Sequence, residues 1–71
     1  MQDVVTLNFV DYDSKDEATI IVRAERDLIA VCFSLKEDGD VELVLRTQEW
    51  HQFLVHLQRA FAMAQASDSQ L

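Results

Sequence analysis

A chain of 71 residues is long enough for one domain only, and with Cys32 as its single cysteine it cannot be a disulfide-stapled scaffold. Its 13 acidic and 6 basic side chains give a formal charge of −7, which repels phosphate backbones at long range and disfavours nonspecific nucleic-acid binding. The start is not basic then apolar, and no apolar run approaches the ~18–20 residues of a membrane span, so a cytoplasmic protein with no membrane partner is expected.

Residues 4–10 alternate Val5, Leu7 and Phe9 with Val4, Thr6 and Asn8, the period of a strand. Residues 11–17 are polar and acidic and read as a loop. Residues 18–25 are rich in β-branched side chains and form a second strand. Arg26 and Asp27 make a short turn. A third strand covers residues 28–36, with Ile29, Val31, Phe33 and Leu35 on one face. Asp38-Gly39 is a hairpin signal, because glycine tolerates positive φ. Residues 41–46 complete a fourth strand.

The period then changes. Thr47 is the expected N-cap of a helix, and Glu49 in its first turn suits the helix dipole. Trp50, Phe53, Leu54, Leu57, Phe61 and Ala64 recur at helical spacing and draw one wide apolar stripe. The expected fold is α+β: a four-stranded antiparallel β-meander and one C-terminal amphipathic helix packed on one sheet face. Residues 1–66 would form the domain, with the helix fading near Ala66 and residues 67–71 a frayed tail.

A helix of this length matches the strands, so it is expected to lie across one face of the sheet. Apolar residues remain for the other face, among them Val4, Ile20 or Ile21, Ala30, Cys32 and Val44. Val55, Ala62 and Met63 widen the helix stripe beyond what one sheet face needs. Leftover apolar surface marks an interface. A small domain without staples gains stability by self-association. A homodimer is therefore expected, with Trp50, Phe53, Leu54, Leu57 and Phe61 as its core or its interface.

In a meander the first and third loops fall at the same end. Asp11, Asp13, Asp16, Glu17, Glu37, Asp38 and Asp40 therefore gather there, against Lys15 and Lys36. This end is either a solvated surface or a recognition surface for a basic protein partner. The oxygens of residues 11–17 alternate as in a calcium loop, but that segment lacks the mid-loop glycine and a terminal bidentate glutamate at the proper distance. His51 and His56 stand roughly 140° apart around a helix and cannot share a metal as an i, i+4 pair would. Cys32 has no base assigned to it by any motif, and no phosphate loop or nucleophile elbow occurs. No cofactor, metal or enzymatic activity is expected.

The run from Val41 to Leu57 leads from a strand through Thr47-Gln48-Glu49-Trp50 into an amphipathic helix. It resembles the end of transcriptional coactivators of the positive-cofactor-four type, which are related to the Whirly domains. That resemblance implies a curved four-stranded antiparallel sheet followed by a helix, a dimer, and binding of single-stranded DNA. Arg23, Lys36 and Arg46, with Tyr12, would then meet the nucleic acid on the exposed sheet face. Two functions follow as expectations. One is a small acidic, non-enzymatic, dimeric interaction module, acting as a nucleic-acid mimic or as a regulator that binds a basic partner. The other is a coactivator-like binder of single-stranded nucleic acid.

Overall fold

The computed structural model describes residues 2–69. Its elements are β1 (Gln2–Val10), β2 (Glu17–Glu25), β3 (Leu28–Leu35), β4 (Gly39–Arg46) and α1 (Thr47–Ser69). The strands form one open antiparallel sheet in the order β1-β2-β3-β4. This is the expected ββββα fold. Each strand is joined to the next by a short turn, so every pairing is local and the register follows from the turns.

The register sorts the side chains. Leu7 faces Ile20, Ile20 faces Phe33, and Phe33 faces Val41. Val5, Val22, Val31 and Leu43 make a second such row. Paired residues share a face, so this side of the sheet is apolar from edge to edge. The opposite side is mixed. Asn8 pairs with Thr19 and Thr19 with Ser34, and the next rows carry Arg23, Ala30, Cys32, Glu42 and Val44. A register shift between Asp3 and Val5 leaves Val4 outside the ladder, as a β-bulge does.

Local backbone chemistry fixes the turns. Gly39 takes φ +90° as the first residue of β4, which supports the glycine reading. The turn before it uses residues 36–38, one position longer than the minimal hairpin loop. Arg26, in the turn between β2 and β3, carries φ +54° without being glycine.

The helix departs from expectation at both ends. Thr47 does not cap it: its hydroxyl donates to the Asp27 carboxylate. The capping position is Arg46, whose backbone N–H donates to Glu49 Oε1 at 2.9 Å, the return half of a capping box. At the far end the helix does not fade at Ala66 but continues to Ser69. The expected frayed tail therefore shrinks, and its last two positions, 70 and 71, lie outside the described residues.

The helix also fails to cover the sheet. It lies on the apolar side against β3 and β4, and no part of it comes within 8 Å, Cα to Cα, of β1 or β2. Its 23 residues span roughly 34 Å at ~1.5 Å each, and the strands roughly 28 Å. The molecule is 44 Å long, so α1 overhangs the sheet. The matching lengths permitted coverage, but the direction in which the chain leaves β4 sets the crossing, and Asp27 anchors that exit. Leftover apolar surface was expected on the second face; most of it lies on the same side as the helix. Ala30 is the one fully buried apolar residue among those described, and it sits on the opposite side, between Arg23 and Val44.

Candidate functional site: an acidic end and an uncovered apolar face

The loop between β1 and β2 is held by its own polar groups. Ser14 N–H donates to Asp11 Oδ2 at 2.8 Å, and Asp16 N–H donates to the Ser14 hydroxyl at 3.2 Å. The Asp11 N–H donates to the Asp16 carbonyl, and Lys15 N–H to the Asp11 carbonyl, each at 2.9 Å. Such side-chain-to-backbone bonds are what aspartate and serine offer a turn. Lys15, at φ +66°, lays its ammonium 4.3 Å above the Tyr12 ring. The Ser14 N–H stabilises the charged carboxylate, so the Asp11 carboxyl lies below the ordinary aspartate range; the Ser14 hydroxyl and the Asp13 N–H act in the same direction.

The second loop joins the first. Lys36 N–H donates to the Glu17 carbonyl at 3.1 Å, and Lys36 Nζ lies 3.6 Å from Glu17 Oε2. Ser34 donates its hydroxyl to Asp40. Three of the seven expected carboxylates are thus engaged in holding this end together: Asp11, Glu17 and Asp40. Asp13, Asp16, Glu37 and Asp38 have no side-chain partner among the described residues. The topology brings all seven to one end of the sheet. No three acidic, histidine or cysteine side chains come close enough to hold a metal among the described residues.

The three cations of the nucleic-acid reading are each matched by a carboxylate. Arg23 Nη1 lies 3.6 Å from Glu42 Oε2, Arg46 Nη1 lies 3.5 Å from Asp27 Oδ2, and Lys36 pairs with Glu17 as above. Arg23 and Arg46 do share the mixed face, two rungs apart, while Lys36 belongs to the acidic end. Cys32 lies on the mixed face too, and both histidines ride on α1 over the other.

The apolar residues of α1 start well. Trp50 is half-buried and donates its indole N–H to the Ile29 carbonyl at 2.7 Å, and Phe53 meets its ring edge-on at 6.0 Å. A groove between Trp50, Phe53, Leu54 and Leu57 on the helix and Ile29, Val31 and Phe33 on the sheet stays open to solvent. Phe61 is 64% exposed, and Phe9, at the uncovered edge of the sheet, is 52% exposed. Of the expected helix-face residues, the structure brings Trp50, Phe53, Leu54 and Leu57 together against β3. It leaves Phe61 out.

Sequence reading missed two things here. Val5, Leu7 and Phe9 belong to the exposed surface, although their alternation was evident. Asp27 holds the helix start: its carboxylate pairs with Arg46 and accepts the Thr47 hydroxyl, and the Asp27 carbonyl accepts the Thr47 N–H at 2.9 Å. Asp27 lies twenty positions from Thr47, and no local pattern announces such a contact. Comparison of the chain with protein families, with characterised proteins and with solved structures gives no match in any of the three.

Proposed function

We propose that the chain is a small acidic, non-enzymatic interaction module that works as a homodimer and offers its loop end to a basic protein. The observation that carries this reading is the state of the carboxylates. Among the described residues, Asp13, Asp16, Glu37 and Asp38 stand unpaired on two adjoining loops, and the loops beneath them are braced by Asp11, Ser14, Lys36 and Asp40. Braced charges lose little freedom when a partner binds, and clustered charges of one sign steer an oppositely charged partner. The helix of the chain is not long and apolar enough to cross a membrane. Single-stranded nucleic acid is the weaker reading, because Arg23, Lys36 and Arg46 are already matched by Glu42, Glu17 and Asp27.

The test is fluorescence anisotropy of a labelled lysine- and arginine-rich peptide, with a labelled single-stranded oligonucleotide measured in parallel at low salt. The peptide binds and weakens as salt is added. The quadruple charge reversal Asp13→Lys, Asp16→Lys, Glu37→Lys and Asp38→Lys lowers its affinity about tenfold or more. Unchanged affinity in that variant overturns the acidic-end assignment, and binding of the oligonucleotide alone favours the coactivator-like function.

A further inference from the structure

A polypeptide of 8.2 kDa folded as a compact monomer exposes about 4,500 Å² by the size scaling of monomeric proteins, whereas this chain exposes 6057 Å². The difference, roughly 1,500 Å², is about twice the ~800 Å² that each partner contributes to a standard interface. The radius of gyration tells the same story: 14.4 Å against about 11 Å for a compact domain of this length. The surplus is not spread evenly. Most exposed large apolar side chains of the sheet lie on one side, where the β1–β2 half of the apolar face has no helix above it. The surplus also lies along α1, where the stripe that begins at Trp50 runs on past the groove, which ends at Leu57, to the exposed Phe61.

These two surfaces are the two halves of one packing. A sheet half lacks a helix, and a helix half lacks a sheet. In a two-fold interface, when one patch of the first chain meets a different patch of the second, the reverse contact forms as well, so both needs are met at once. The acidic loops stand at the end of the sheet, outside the paired rows that form its apolar face. We propose that a second copy of the chain closes the apolar face, the overhanging half of α1 in each protomer lying over β1 and β2 of the other. Leu7, Phe9 and Ile20 of one protomer then pack against Leu57 and Phe61 of its partner. The mixed face and the acidic end stay free for other partners. This inference rests on the dimeric reading above and specifies which surfaces make the dimer.

The test uses the wild-type chain. Light scattering gives the mass, and a sample mixing isotope-labelled with unlabelled chains reports proton contacts between protomers only. The expected result is twice the 8.2 kDa chain mass, with inter-protomer contacts from the Leu7 and Ile20 methyls to the Phe61 ring. A dimer whose inter-protomer contacts join Phe61 to Phe61, or join two edge strands, overturns the proposed geometry and leaves the dimeric reading intact. A monomer at millimolar concentration overturns both. The peptide titration is read separately, so failure of the acidic end is not confused with failure of the interface. As a second variant, Leu7→Glu places a charge at the centre of the shared face. It turns the dimer into a monomer or unfolds it, and a stable dimer carrying this change contradicts the proposal.

Discussion

Asp11 shows how one side chain organises the acidic end of the sheet. Its carboxylate accepts the Ser14 N–H, and that bond holds its proton affinity down. The folded-state value lies below that of the unfolded chain, so the bond contributes stability above the unfolded value. That contribution is lost as pH falls through the folded one. The Asp11 carboxyl is therefore expected to titrate below the ordinary aspartate value by carbon-detected NMR, with the amide of Ser14 moving at the same midpoint. A midpoint at the ordinary value would remove Asp11 as the brace of the loop. Trp50 is the corresponding residue on the helix. Trp50→Phe keeps most of the apolar area but leaves the Ile29 carbonyl without its indole donor, a loss of about 1 kcal/mol in denaturant unfolding. An unchanged midpoint would mean that water replaces the indole at no cost. At this scale the sequence was partly legible. Trp50 was evident as the opening of an apolar stripe, and the acidic residues as a group. Nothing local distinguished Asp11, Glu17 and Asp40, which hold the structure, from Asp13, Asp16, Glu37 and Asp38, which are left over. That division depends on which neighbour each carboxylate meets across the turn.

The elements were legible where period alone decides. Alternation in β1 and β3, β-branched residues in β2 and the 3.6-residue spacing of α1 each point to one structure. Short turns then leave the meander as the simplest sheet. The ends of α1 were less legible. Threonine is an excellent capping residue, but here its hydroxyl is captured by Asp27, and Glu49 reaches back to Arg46 instead. Glu49→Ala, which removes that acceptor, is expected to cost about 0.5–1 kcal/mol, with Glu49→Gln retaining most of it. Equal loss in both variants would show that the charge of Glu49, and not the bond, matters. How α1 crosses the sheet could not be read at all. A stripe says that a helix has an apolar side, and not which strands, or whose, it covers.

For the whole molecule, the decisive feature is the missing core. Sheet and helix are both amphipathic, yet only Ala30 is fully buried among the described residues, on the side away from the helix. A chain that leaves this much apolar surface in water gives up part of the term that drives folding. The ion pairs do not replace it, because Arg23–Glu42, Lys36–Glu17 and Arg46–Asp27 lie at the surface, where such pairs contribute about 0–1 kcal/mol each. In the proposed dimer the second copy is part of the fold, and the acidic ends of the two protomers would be displayed by an assembly that neither builds alone. The most direct measurement is thermal unfolding followed across a hundredfold range of protein concentration. If folding and association are coupled, the midpoint rises by several degrees with each tenfold increase, because mass action favours the dimer. A cooperative transition with the same midpoint at every concentration would mean that the monomer is stable by itself, and would contradict the account.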